Sequence, residues 1–212
     1  MFYFENNVLK SDYLEGVEHF FTTRKGFVFD ENIIYPEQTH SDHVEFVDER
    51  KEYPDTDGLI ITKPNQMIRL KFADCTPLIF YNPKTNIGAI SHAGWRGTAA
   101  KIGVKTVQKM CGGVNDGAKD IIAVIGPAIG LCCYEVSDEV KTALLQTVQD
   151  TTNLYKDRNV DLKAINARQL QEIGVEKIDI CPYCTSCNND LFYSYRKENG
   201  TTQRHFAFLQ LL

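Results

Sequence analysis

The stretch from Met67 to Ser91 constrains the fold of this chain more than any other. Met67-Ile68-Arg69-Leu70-Lys71-Phe72 alternates apolar and polar side chains, the period-two signature of a half-buried strand. Pro77 to Tyr81 follows as a second strand-length run, Asn82-Pro83 marks a turn, and Ile87 to Ser91 is a third run. Together these read as the core of a sheet. Shorter strands are expected before it, at His19 to Thr23, Val44 to Val47 and Gly58 to Thr62. After it, Thr98 can cap a helix carrying Ile102, Val104, Val107 and Met110, which ends at Gly112-Gly113. Asp120 to Ile125 reads as a buried strand. A second helix is expected from Ser137, where Asp138 and Glu139 complement the helix dipole, and a third from Leu162 to Glu172, stopped by Gly174. Strands at Lys177 to Ile180, Leu191 to Tyr195 and His205 to Leu209 complete the pattern. Strands and helices are interspersed without regular βαβ alternation. The expected architecture is therefore a layered α+β domain rather than a doubly wound fold.

A length of 212 residues supports one domain spanning 1–212, with a core large enough to need no staples. With 43% apolar and 24% charged residues the chain is not a disordered one. Twenty-three Lys and Arg against 28 Asp and Glu leave a net charge of −5, so no broad positive field attracts nucleic acid or anionic lipid. No apolar run approaches the ~18 residues of a membrane-spanning helix. The seven cysteines are an odd count, and Met1-Phe2-Tyr3-Phe4-Glu5 has no basic segment followed by an apolar one. The expectation is a cytoplasmic protein with reduced thiols.

Three segments concentrate the scarce reactive groups: Gln38-Thr39-His40-Ser41-Asp42-His43, Ala73-Asp74-Cys75-Thr76-Pro77 and Ser91-His92-Ala93-Gly94-Trp95-Arg96-Gly97. Each lies at a strand end or loop, where sites tend to be built. A sheet could bring Cys75 and His92 together, and His40 could complete a trio. One thiolate and two imidazoles suit zinc and leave a fourth tetrahedral position open. His43 could close that position and make the metal structural. A metal-free alternative uses Cys75 as nucleophile and His92 as its base, with Asp74 also able to move protons. Taken singly, each histidine is better explained as a satisfied surface or loop residue and Cys75 as a small buried hydrophobe; the segments argue for a site only jointly.

Arg24, Arg96 and Arg196 adjoin turn-like segments and suit phosphate or carboxylate recognition through their planar forks. Gln38 joins them as a substrate-binding candidate. Cys181-Pro182-Tyr183-Cys184-Thr185-Ser186-Cys187 has cluster-like spacing but no fourth cysteine nearby, and adjacent cysteines such as Cys132-Cys133 seldom chelate one metal. These cysteines therefore read as free thiols, buried or exposed. The chain lacks G-x-x-x-x-G-K-[ST], G-x-G-x-x-G, H-E-x-x-H and G-x-S-x-G, which removes the commonest nucleotide, dinucleotide, zinc protease and serine hydrolase signatures.

Read jointly, the motifs resemble the YfiH-like family, long labelled multicopper polyphenol oxidase or laccase-domain proteins. The likeness runs through Thr22-Thr23-Arg24, Gln38-Thr39-His40, Asp57-Gly58, Ala73 to Pro77, His92 to Gly97, Gly126 to Gly130, Tyr134-Glu135-Val136, Cys184-Thr185 and Ser194-Tyr195-Arg196. It implies a zinc site of His40, Cys75 and His92, and a fold related to the catalytic domain of cytotoxic necrotizing factor. The family pattern has paired glycines where this chain has Gly26-Phe27, a Gly-Arg pair where it has Gln203-Arg204, and no counterpart of Cys181 or Cys187. The family label also suggests Cu2+. Yet a multicopper oxidase needs on the order of ten histidines, mostly in H-x-H pairs. This chain has five and no such pair. The resemblance implies instead a purine nucleoside enzyme that phosphorolyses adenosine, inosine and methylthioadenosine and deaminates adenosine, with nucleoside and phosphate as its small-molecule partners. A second implied activity is peptidoglycan editing, the removal of L-serine from UDP-MurNAc-L-Ser. A third possibility is a non-enzymatic metal-binding protein.

Overall fold

The structure is a computed structural model describing residues 1–29, 32–48, 52–113, 115 and 117–212. In chain order the strands are β1 (Phe2–Glu5), β2 (Val8–Ser11), β3 (Val17–Thr22), β4 (Val44–Phe46), β5 (Gly58–Ile61), β6 (Met67–Phe72), β7 (Thr76–Asn82) and β8 (Ile87–Ala93). Helices α1 (Trp95–Ala99) and α2 (Ile102–Met110) follow, then β9 (Ile122–Ile125), α3 (Asp138–Leu145), β10 (Tyr155–Lys156), β11 (Asn159–Val160), α4 (Leu162–Glu172), β12 (Lys177–Ile180) and β13 (His205–Leu211). One sheet has the order β1-β2-β3-β13-β6 and is antiparallel throughout. The other has the order β12-β9-β7-β8-β5-β4; its outer pairs are parallel and its inner pairs antiparallel.

The burial pattern makes this a three-layer stack. Phe21, Leu70, Phe72 and Leu209 of the first sheet pack against Leu59, Ile61, Ile79, Ile90 and Val124 of the second. On the other face of the second sheet, Ile60, Leu78, Phe80, Ala89 and Ile125 meet Ile102 and Val107 of α2 and Ala167 and Leu170 of α4. β7 lies between both layers and is buried at all seven positions, which is why its Pro77 to Tyr81 segment reads as an unbroken apolar run. Each such large side chain contributes roughly 1.5–3 kcal/mol on burial. Gly103 lets α2 lie close to the sheet, since a Cβ there would sit 2.9 Å from Leu78 Cδ1.

The layered α+β expectation holds, and the central strands fall where periodicity placed them. Ser137 and Asp161 cap α3 and α4 by accepting from the backbone N–H of Val140 and Ala164. Three local details differ. Asn6 and Asn7 both take positive φ (47° and 69°) and turn β1 into β2, a two-residue hairpin that the early sequence did not announce. Thr98 caps nothing: it lies inside α1, and the chain breaks at left-handed Lys101 (φ 58°) before α2 begins. Its buried hydroxyl instead accepts from Asn166 Nδ2 of α4 at 3.0 Å. Leu191 to Tyr195 is a chain of turns rather than a strand, with Leu191 and Phe192 both donating to the Asn188 carbonyl. Among the described residues, no helix is long and apolar enough to cross a membrane.

Candidate metal centre

The register of the second sheet assembles the site. β7 and β8 pair so that Thr76 faces Ala93 and Pro77 faces His92, which places Cys75, just before β7, beside the end of β8. β5 flanks β8 on its other side, with Gly58 opposite Ser91, so Asp57 arrives at the same edge. The loop before β4 brings in His40. The ligand atoms of His40, Cys75 and His92 all lie within 4.8 Å of one another, and the two imidazole rings are 4.8 Å apart at 70°. His40 and Asp74 hold left-handed backbone conformations, φ 66° and 82°, a strain that the surrounding contacts must sustain. Gly94 closes the back of the cradle. A Cβ there would be 3.0 Å from Cys75 Sγ and 3.2 Å from His40 Cδ2.

Asp57 organises two of the three ligands. Its Oδ1 lies 2.6 Å from His92 Nδ1, and its Oδ2 accepts from the backbone N–H groups of Thr39 (3.0 Å) and Ser41 (2.7 Å), the residues on either side of His40. The Asp57 bond occupies Nδ1 and leaves Nε2 of His92 for the sulfur side. Burial alone would push the Cys75 thiol up, but the charge of His92 and hydrogen bonds from both imidazoles outweigh it and bring the thiol down to about 6. Burial likewise works against protonation of His92, yet the Cys75 thiolate and Asp57 raise it to about 9. Without a metal the pair is therefore a thiolate and an imidazolium at neutral pH.

These groups open onto a cavity of about 530 Å³, within the range of small-molecule sites, lined also by Gln38, Lys71, Tyr134, Tyr195, Arg196 and Arg204. Burial, with the Cys75 thiolate nearby, pushes the Tyr134 phenol up to about 12, so it stays a neutral O–H donor. Arg196 spans this wall with its Nη1 on the Glu135 carbonyl (3.0 Å) and its guanidinium 5.4 Å from the Tyr134 ring. A larger hollow of about 1030 Å³, lined by residues 32–38 with Asp48, Glu52, Tyr53, Pro54 and Arg69, shares Gln38 and Lys71 with this cavity but not Cys75.

The other sequence candidates divide. Gln38 lines the cavity, but its amide is committed to the Lys71 backbone N–H and C=O (2.8 and 2.9 Å), so it shapes the wall. Asp74 is buried and its carboxylate ties loops together, accepting from Thr185 Oγ1 (2.6 Å) and the Arg196 backbone N–H (2.7 Å). That makes it a brace rather than a free proton carrier. Arg24 stands outside the cavity, paired with Glu198 and stacked 4.3 Å over Tyr193. Arg96 is exposed over the Trp95 ring at 4.5 Å and does not line it either. His43 does not close the trio, since its ring engages Glu45 (2.7 Å) and the Asp55 carbonyl (3.2 Å). Asp57, Lys71, Tyr134, Tyr195 and Arg204 were not singled out as site residues from sequence. The available signal was that Asp57, Tyr134 and Tyr195 lie in motif blocks of the family resemblance, and that Asp57 directly precedes the buried Gly58 to Thr62 strand.

A second grouping brings together four of the cysteines read from sequence as free thiols. Cys132, Cys133, Cys184 and Cys187 converge within 4.8 Å, whereas Cys181 is turned fully into the core. Two cysteines of the C-x-x-C-x-x-C segment, Cys184 and Cys187, thus meet two from a loop some fifty residues earlier.

A family model described as multi-copper polyphenol oxidoreductase laccase matches residues 17–212. A Clostridium acetobutylicum protein named purine nucleoside phosphorylase is 34% identical over 177 residues, covering 82% of this chain and 75% of its own length. Bacillus subtilis YlmD, also named a purine nucleoside phosphorylase, is 34% identical over 196 residues, covering 83% and 69% respectively. The crystal structure of YlmD from Geobacillus stearothermophilus superposes with a TM-score of 0.87 at 28% identity, covering 99% of this chain and 98% of that one. YfiH of Bacillus licheniformis gives the same TM-score of 0.87 and identity of 28%, covering 100% and 99%.

Proposed function

This chain belongs to the multi-copper polyphenol oxidoreductase laccase family, and from that premise we propose that it is a phosphorylase of purine nucleosides, acting on adenosine, inosine and methylthioadenosine. The observation that carries the reading is the meeting of the His40, Cys75 and His92 ligand atoms at a cavity that also presents tyrosine rings and cationic side chains. One thiolate and two imidazoles converging within 4.8 Å, backed by the space that Gly94 leaves free, fit a single zinc ion. The label's copper fits this donor set less well, because a multicopper centre would need far more imidazole than two histidines provide. When bound, Zn2+ would supply a Lewis acid with an open position toward the cavity.

The chain's own residues account for the rest. Arg196, Arg204 and Lys71 present positive charge to the cavity and suit an inorganic phosphate, which no broad surface field would otherwise recruit. Tyr134 and Tyr195 offer faces for a purine, and Tyr134 adds a protonated hydroxyl. In phosphorolysis a phosphate oxygen bonds to C1′ as the C1′–N9 bond breaks, and the electron pair leaves with the purine, which takes up a proton. The cationic wall stabilises the attacking anion. Deamination of adenosine in the same pocket would exchange its 6-amino group for the oxygen of water, giving inosine and ammonia. Incubation with inosine and phosphate should release hypoxanthine and ribose 1-phosphate, and Cys75→Ala should not. Full activity in that variant would overturn the assignment.

One observation favours a second reading. Asp57, His92 and Cys75 stand in file, the order of an acid, base and thiol nucleophile. That file would suit amide cleavage, with UDP-MurNAc-L-Ser as the substrate. Serine release by metal-free protein, faster than hypoxanthine release, would reverse the ranking.

A further inference from the structure

Two loops wall the cavity on one side. The first runs from the end of β9 through Gly130 to Tyr134, and the second from β12 through Cys184 and Cys187 to Tyr195 and Arg196. They are joined by a bridge between Ala128 and Cys184, by the Thr185 N–H donating to the Ala128 carbonyl at 3.0 Å, and by Arg196 reaching the Glu135 carbonyl at 3.0 Å. Where the two loops meet at the surface lie Cys132, Cys133, Cys184 and Cys187.

We propose that these four cysteines form a second metal site, an all-thiolate centre that takes one Zn2+ and fastens together the two loops of the pocket wall. Four sulfurs around one zinc at about 2.3 Å stand about 3.8 Å from each other. Here Cys132 Sγ and Cys133 Sγ each lie 3.4 Å from Cys187 Sγ, and no pair among the four exceeds 4.8 Å. This spacing leaves room for one ion. A multi-iron cluster, with each cysteine on a different iron, would hold the sulfurs further apart. It also lies well beyond the ~2.05 Å of a disulfide bond.

The surrounding backbone supplies an independent observation. The Gly130 N–H donates to Cys184 Sγ at 3.2 Å, and the N–H groups of Ser186 and Cys187 point at the same sulfur. Amides converging on a cysteine sulfur at the head of a C-x-x-C turn orient it as a ligand and support a thiolate there. Cys184 is buried and anchors the group, while Cys132 and Cys187 are exposed, so an ion can reach it from solvent. The adjacency of Cys132 and Cys133 ceases to be an objection, because the turn from Gly130, with Cys133 and Tyr134 N–H both donating to its carbonyl, directs both sulfurs toward Cys187. Since Tyr134 follows Cys133 directly, an ion here would fix the position of a cavity-lining side chain without touching substrate.

Zinc content measured on protein prepared under reducing, oxygen-free conditions tests the proposal. Two zinc ions per chain are expected. The His40→Ala and Cys75→Ala variants should each keep one, and Cys132→Ser/Cys187→Ser should also keep one. X-ray absorption at the zinc edge of His40→Ala should show a shell of four sulfurs at about 2.3 Å. The proposal is overturned if folded His40→Ala and Cys75→Ala bind no zinc, if the retained zinc has a shell mainly of nitrogen and oxygen, or if intact mass reveals a disulfide among these cysteines in place of metal. Because His40 is exposed, its variant carries the test even if the double serine variant fails to fold.

Discussion

Nδ1 of His92 lies 2.6 Å from the carboxylate of Asp57, and both side chains are buried. The same carboxylate grips the backbone on either side of His40, so one residue sets the orientation of two ligands that are 52 positions apart in the chain. A carboxylate behind a ligating histidine fixes its tautomer and raises its basicity.

Asp57→Asn should therefore weaken metal binding by roughly 10–100-fold while leaving all three ligands in place. Competition against a chelating dye would measure this. Unchanged affinity would reduce Asp57 to a purely structural role.

In the metal-free protein the Cys75 thiol is set at about 6 by its two imidazoles acting against burial. The thiolate is the reactive form, so its alkylation should rise with pH to a plateau with a midpoint near 6. Peptide mapping after iodoacetamide treatment at a series of pH values would follow this one cysteine. A midpoint near 9, that of an ordinary thiol, would show that the histidines do not reach it. Asp57→Asn should shift the midpoint upward, because an unsupported His92 is less often charged.

The two arginines separate by role. Arg196→Ala removes a cationic fork from the cavity and should lower kcat/KM by roughly tenfold to hundredfold, expressed mainly in the KM for phosphate, as loss of a charged hydrogen bond implies. Arg24→Ala should leave that KM in place and lower the melting temperature instead, since it removes the partner of half-buried Glu198. Steady-state kinetics at varied phosphate, beside thermal melts, would distinguish them. A raised phosphate KM in Arg24→Ala would restore it to the substrate-binding set.

His205 is fully buried against Phe72 and Phe192, and burial brings it down to about 3 from an ordinary value near 6.5. Between those values the unfolded chain holds the extra proton, so acid favours unfolding. The stability from a neutral His205 is complete above about pH 6.5 and is lost as pH falls toward 3, on the order of a few kcal/mol. Urea denaturation across this range should show His205→Phe losing less stability than the wild type. Parallel curves would rule out His205 as a source of the acid sensitivity.

The central strands were legible because β6 alternates and β7 carries the apolar run Pro77 to Tyr81, helix α3 because Ser137 offers a capping oxygen, and α4 because Gly174 stops it. Thr98 misled because a good capping residue can equally serve a buried bond to another helix, here from Asn166. Leu191 to Tyr195 has strand-like composition, but the N–H groups of Leu191 and Phe192 are taken by the carbonyl of Asn188 in a local turn. In both cases a tertiary or local hydrogen bond outweighed intrinsic preference.

Ligand chemistry in the sequence sufficed to single out His40, Cys75 and His92, since thiol and imidazole at strand ends are scarce in this chain. It could not identify Asp57 as their common support, because that role depends on β5 lying beside β8. Nor could it join Cys132 and Cys133 to Cys184 and Cys187. Local periodicity and capping are written in neighbouring residues, and these the sequence determined by itself. The meeting of side chains 35 or 55 positions apart, as in His92 with Asp57 or Cys132 with Cys187, depends on strand register and loop closure, which only the packed layers of the tertiary structure decide.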